Sequence, residues 1–291
     1  MKLIYCIITH RNTAILREFI KIMSKSNEIY LHIDKKSKMK DFKEYENIKN
    51  VNIIKKRINV KWGSFSQVKA TLLMLNEIEE KDYDYVSLVS GDCLPTNSDK
   101  KIKDRLKIDY GKEFIGWQKS FSVKELNDRV KYKYLSCHYK KTKNNIDKKI
   151  INIHHKYRKV FINKSYKFLP KLYKGNQWFT ISKQCVDYIL EYLKENKYYI
   201  KAFKKSLCSD EMFFQTIIFN SKFREKVYMI DEGSNSNIMS LRYIDWNSGP
   251  EFPKLLDSDD FIKIKNTDCI LARKFNPKID LSEYEKVFEI Y

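Results

Sequence analysis

The first hundred residues alternate between continuous apolar runs and segments with a 3.6-residue apolar period, which leaves few possible architectures. Residues 2–9, "KLIYCIIT", are almost unbroken apolar chain, the pattern of a strand covered on both faces. The run ends at "THRN", where Asn12 is placed to cap the next segment, "TAILREFIKIMSK". There, apolar residues 15, 16, 19, 20 and 23 share one helical face. "EIYLHID" and a weaker "NVNIIKK" read as further strands. "GSFSQVKATLLMLNEIEE" reads as a helix capped by Ser66, with Val68, Leu72, Leu75 and Ile78 inward. "YDYVSLVSGDCLP" is a fourth strand, broken at Gly91 and closed by Pro95. Such alternation predicts a Rossmann-like α/β fold, a mostly parallel sheet with helices on both faces. Ligands of these sheets sit at the carboxyl ends of the strands. Those ends hold His10, Asp34, Ser90, Gly91 and Asp92.

Further on, "GNQWFTIS" reads as a turn and a strand, and Ser182 is placed to cap the helix in "QCVDYILEYLKEN". "KVYMID", "NIMSLRYIDW" and "DCILARKF" look like later strands or strand ends. Between about 131 and 174 lies a basic, Tyr- and Lys-rich stretch whose one acid is Asp147, expected to be part helix and part loop. It can meet phosphates or be a solvated surface. With no repeat and no Gly/Pro-rich linker, residues 1–291 read as one domain carrying this stretch as an insertion.

The formal charge is +20, from 57 basic and 37 acidic residues, and so large an excess suits a polyanionic partner such as nucleic acid, an anionic membrane or a phosphorylated substrate. Part of it follows simply from a Lys-, Ile-, Asn- and Tyr-rich composition. The six cysteines are scattered without a C-x-x-C pair, which suits reduced thiols of a cytosolic protein. The N-terminal apolar run of about seven residues is too short to span a bilayer and lacks a cleavage-site pattern. The expected location is the cytoplasm, either in solution or peripherally at the inner face of the membrane.

No glycine-built phosphate loop and no H-E-x-x-H zinc motif is present, so nucleotide binding has to rest on other groups. His10 and His32 fall in different strands and read as structural or ligand-polarising rather than as a metal pair. "SGD" offers a single acid, Asp92, and no D-x-D follows to grip a divalent cation. A nucleotide diphosphate would then need fixed cations, for which Arg273 and Lys274 in "ARKF" are the adjacent pair. In "SDEMFFQTIIFN", Ser209 or Asp210 reads as a helix cap and Glu211 as a first-turn acid that favours the dipole. The other reading makes Glu211 a general base in a cleft.

The ordered set "ITHRN", "YLHIDKKS", "VKWGSFSQVKATLLML", "YVSLVSGDCLPT", "GNQWFTIS", "SDEMFFQTII", "RYIDW" and "ILARKF" resembles the Core-2/I-branching enzyme family of glycosyltransferases. The resemblance implies a GT-A-type fold and an inverting, metal-independent transfer from a UDP-sugar, with no cofactor. It implies Glu211 as the catalytic base and Arg273 and Lys274 as the cations on the diphosphate. Asp34, Lys36 and Trp62 fall on the nucleotide side, together with His10, Ser90, Gly91 and Asp92. Gln177, Trp178, Asp245 and Trp246 fall on the acceptor side. The family's "WGG" is "WGS" here, and the 131–174 stretch contains no motif that aligns with the family, so the resemblance implies no role for it.

The chain is therefore expected to move a sugar, N-acetylglucosamine first and xylose or another hexose next, onto a glycan hydroxyl. The expected setting is bacterial surface polysaccharide synthesis, with a lipid-linked acceptor at an anionic membrane and no nucleic-acid partner. The alternatives are a basic nucleic-acid-binding protein and a non-catalytic glycan-binding module on the same fold.

Overall fold

The computed structural model describes residues 1–231, 235–250 and 252–290. The chain begins β1 (Leu3–Thr9), α1 (Ala14–Met23), β2 (Glu28–Ile33), β3 (Val51–Ile53), α2 (Ser66–Glu77), β4 (Tyr85–Ser90), β5 (Leu94–Pro95), α3 (Asp99–Ile108) and β6 (Phe114–Ile115). It continues α4 (Val123–Lys131), α5 (Asn145–Lys156), β7 (Phe179–Ser182), α6 (Lys183–Glu195), α7 (Lys197–Phe203) and α8 (Phe213–Phe219). Last come α9 (Ser236–Met239), β8 (Arg242–Ile244), α10 (Phe261–Lys265), β9 (Leu271–Arg273) and α11 (Leu281–Val287).

The main sheet has the order β3-β2-β1-β4-β7-β6. The β3-β2, β2-β1 and β1-β4 pairs are parallel, whereas β7 runs antiparallel to both β4 and β6. Alternation along β1 explains its unbroken apolar run. Ile4 and Cys6 enter one core with α2, α6 and α8, while Leu3, Tyr5 and Ile7 enter the other with α1, α3 and α11. Ile8 stands opposite both His32 and Ser90, so the carboxyl ends of β1, β2 and β4 are level.

Several local expectations change. Thr13, not Asn12, caps α1, its hydroxyl accepting from the Leu16 amide, and Asn12 instead hydrogen-bonds to the Asp41 carbonyl at 2.6 Å. Ser66 is the first residue of α2 rather than its cap, and its hydroxyl accepts from the Lys61 amide at 2.7 Å. Ser182 does cap α6. "KVYMID" is not a strand: Val227 makes one bridge to Glu113, and Met229, at φ 52°, turns the chain out of extension. "NIMSLRYIDW" divides into α9 and β8, and Leu241 at φ 53° makes the break. The five cysteines other than Cys208 are buried, and all six are free thiols.

A second sheet, β5-β9-β8, is locked to the first through Arg242. This fully buried guanidinium donates to the Ser240 carbonyl at 2.7 Å, the Ser87 hydroxyl at 2.7 Å, the Phe179 carbonyl at 2.9 Å and the Thr180 hydroxyl at 3.0 Å. Burial pulls its pKa down to about 10, so it stays charged at neutral pH. The 131–174 stretch closes on itself where the Lys133 amide donates to Phe161 and the Asn163 amide to Lys131. The buried Asn163 side chain then ties it to α4 and α7 through the Val130 and Ala202 carbonyls. No described helix is long and apolar enough to cross a membrane.

Replacing Arg242 by Met removes the donor shared by two hydroxyls and two carbonyls that stay buried. Arg242→Met is expected to lower stability in urea by about 3 kcal/mol or more. A loss below about 1 kcal/mol would show that the two sheets are held together by other contacts.

Candidate active site

Two clusters of charge form at the carboxyl edge of the main sheet. In the first, the buried Asp34 takes the Lys36 amide on Oδ1 at 2.9 Å, and its Oδ2 lies 3.5 Å from Lys36 Nζ. Arg57 fixes this turn from behind by donating to the Asp34 and Ser37 carbonyls. Close packing at the end of β4 depends on Gly91, where a Cβ would run into the Thr9 hydroxyl. Beyond it, Asp92 lies 3.5 Å from the Arg11 guanidinium and 3.7 Å from Lys274 Nζ. Both separations exceed a charge-assisted hydrogen bond, so each cation keeps donors for another anion. The Asp92 carbonyl also accepts the Phe275 amide, which draws the Arg273–Lys274 segment to this strand end. His10, exposed after β1, titrates below the ordinary imidazole range. Lost hydration is the main cause and Arg11 the next, with Asp92 and Asp34 opposing.

The loop bearing Trp62 joins this cluster to the second. His32, buried in β2, accepts the Ile58 amide on Nε2 at 3.0 Å, and burial holds its pKa near 4. It is a neutral structural acceptor. Lys36 Nζ donates to the Val60 carbonyl at 2.8 Å, and the Gly63 carbonyl accepts the Cys208 amide at 2.7 Å. Gly63 adopts φ +64°, a left-handed conformation that favours glycine. Ser64 lies outside that region and bonds Ser66 at 2.6 Å, so the serine of "WGS" fits without strain. Trp62 itself is exposed and lines a cleft of ≈ 310 Å³ with Leu207, Cys208 and residues of α5.

In the second cluster, Ser209–Glu211 form a single 3₁₀ turn before α8. Neither Ser209 nor Asp210 caps α8, which starts after Met212 without a side-chain cap, so the capping expectation fails. Asp210 is instead buried, with Oδ1 unpartnered among the described residues. Burial, and then the charge of Glu211, raise its pKa to about 7. Glu211 differs: its Oε2 receives Arg129 at 2.8 Å and Lys174 at 3.3 Å. Oε1 has no hydrogen-bond partner among the described residues. Lys174 is buried, sits 4.0 Å above the Phe121 ring and donates to Gln118. Sequence reasoning missed Arg129 and Lys174, which stand at the two ends of the basic stretch; no local pattern marks them as partners of Glu211.

"GNQWF" connects the clusters. Its Gly175 amide donates to the Glu211 carbonyl at 2.9 Å, and three positions on, Trp178 lies 4.7 Å beneath the Arg273 guanidinium. Asn176, also missed, braces the segment by donating to Ser236 and Ser240 and accepting the Trp178 amide. Gln177 is half-buried between them. β8 pairs Ile244 with Arg273, which sets Asp245 and the exposed Trp246 beside the cation pair. Burial pushes the Asp245 carboxyl up, but the Asn247 and Ser248 amides outweigh it and hold it below its usual range. Among the described residues no three His, Cys, Asp or Glu side chains gather into a metal-ligating group.

Because the folded-state pKa of Asp210 lies above its ordinary value of 3.8, its contribution to stability is complete below that value and is lost as pH rises through about 7. Asp210→Asn is expected to leave stability near pH 4 almost unchanged and to raise it at pH 8, on the order of 3 kcal/mol. Urea midpoints that shift equally at both pH values would exclude this titration.

No curated protein sequence matches the chain. Among solved structures, one that is similar is S. aureus TarS 1-349 in complex with UDP-GlcNAc. It is 11% identical at a TM-score of 0.31, over 80% of this chain and 71% of that one, a likeness too distant to establish fold or ligand here. The model of the Core-2/I-Branching enzyme matches residues 3–267, which take in every site residue from His10 to Trp246 and stop short of Arg273 and Lys274. That extent settles the family, and the chain belongs to the Core-2/I-branching enzymes, which are glycosyltransferases.

Proposed function

We propose that the protein is an inverting, metal-independent transferase that moves a sugar from a UDP-sugar to a glycan hydroxyl. One observation carries the reading: the paired Glu211 carboxylate and the Trp178–Arg273 stack are attached to the two ends of one short segment. That connection supports reading Glu211 as the proton acceptor and Arg273 as a cation for the diphosphate of one site.

Glu211 acts as general base through Oε1, while Arg129 and Lys174 orient it through Oε2. The acceptor oxygen bonds to the anomeric carbon as its proton passes to Glu211. The bond from that carbon to the β-phosphate oxygen breaks, and UDP leaves with the electron pair. Arg273, Lys274 and Arg11 offset the charge that develops on the diphosphate, the part a divalent cation plays in other enzymes. Asp34, Lys36 and Trp62 take the nucleoside, with His10, Ser90, Gly91 and Asp92 beneath the phosphates. Gln177, Trp178, Asp245 and Trp246 take the acceptor. The donor follows the family resemblance, N-acetylglucosamine first and xylose or another hexose next, and the product belongs to surface polysaccharide synthesis.

Glu211→Gln is expected to lower transfer from UDP-N-acetylglucosamine by roughly 10²- to 10⁴-fold while UDP affinity, read by calorimetry, changes little. Turnover retained in that variant would remove Glu211 from the mechanism. Lys274→Ala is expected to weaken UDP binding by roughly tenfold with the melting temperature nearly unchanged. Transfer is expected to continue in excess EDTA, and strict dependence on added Mn²⁺ would overturn the cation-pair reading.

A further inference from the structure

α5 carries apolar side chains on its outer face. Its inner face buries Asp147 and His154, the first bound by Lys140 at 2.7 Å and the second packed 4.8 Å from the Phe161 ring. Its outer face presents Ile146, Ile150, Ile153 and Tyr157, with exposures of 67%, 39%, 59% and 53%. They recur at i, i+4, i+7 and i+11, so at about 100° per residue they form one stripe about 60° wide. Lys149 and Lys156 line one edge of it, and after the helix Val160 at 80% and Ile162 at 46% extend the exposed apolar surface. A solvated helix face is ordinarily polar. An apolar stripe edged by lysines is the surface of a helix lying in a lipid interface.

We infer that α5 docks in the plane of an anionic lipid surface. Charge selects this occupant. The one acid of residues 131–174 is Asp147, which is buried, so every charge this stretch itself presents outward is positive. Pairing with a second copy through this stripe would set Lys149 and Lys156 against the same charges. At 12 residues, α5 is too short to cross a bilayer and long enough to lie along one. Lys148 and Ile151 of the same helix line the cleft that contains Trp62 and Cys208 on the side roughly opposite the stripe, so docking through the stripe leaves that cleft facing away from the lipid. The docking does not rest on the transferase reading.

The test is flotation with phosphatidylcholine vesicles containing about a third phosphatidylglycerol, against pure phosphatidylcholine. The intact protein is expected to float with the first, to stay behind with the second and to be released by high salt. Ile150→Asp combined with Ile153→Asp is expected to reduce the bound fraction by roughly tenfold. Lys149→Ala and Lys156→Ala are expected to weaken binding by roughly fivefold each. Unchanged UDP binding by calorimetry shows that each variant is folded and reports separately on the donor site. Binding that ignores phosphatidylglycerol, or that survives the double aspartate variant, overturns the inference. So does a dimer in the ultracentrifuge that the double aspartate variant dissociates, since the stripe would then belong to a second copy.

Discussion

The molecule is organised around a buried cation that has no carboxylate partner among the described residues. The two terminal nitrogens of Arg242 donate to neutral oxygens from β4, the start of β7 and the loop before β8. Its planar fork can reach all of these at once, which a lysine ammonium cannot. Because β8 carries β9 beside it, the position of Arg273 follows from that of Arg242. The same guanidinium engages Phe179 and Thr180, directly after Trp178. Both partners of the Trp178–Arg273 stack thus hang from one buried group.

Neighbouring acids acquire opposite characters from their surroundings. Asp210 is enclosed and lacks a cation in contact, so desolvation dominates and it keeps a proton to about pH 7. Glu211 is partly exposed, with two cations on one oxygen and no partner for the other among the described residues. Those cations flank the basic stretch, so the stretch does more than decorate the surface. Its ends hold the carboxylate in place and its middle supplies α5. The stretch thereby bears on both the surroundings of Glu211 and the outer face.

Excess positive charge is also distributed unevenly in its consequences. Arg11 and Lys274 are loosely balanced by Asp92, so they remain available at the strand ends. Lys174 is enclosed and engaged with Glu211, Gln118 and the Phe121 ring. The lysines of α5 are exposed, with no acid on their side of the helix. A net charge read from composition merges these roles, although each follows from a different local dielectric and set of partners.

Sequence by itself determined the layered sheet. An apolar run such as β1 has no face that water can cover, so both sides need helices. It also supplied the ordered motifs that place the chain in its family, and the cap at Ser182, where a hydroxyl meets an amide three residues away. Tertiary structure decided what depends on distant chain. Arg129 reaches Glu211 from 82 residues upstream, and His32 serves as an acceptor because Ile58 packs over it. "KVYMID" has the composition of a strand, yet a left-handed Met229 and the scarcity of neighbouring strands leave it one bridge. Local spacing made Asp210 a helix cap and Glu211 a first-turn acid or a general base, and the cap did not form. Burial and ion pairing separated them, because a carboxylate's character is set by the water it loses and the charges it meets, and both are properties of the folded chain.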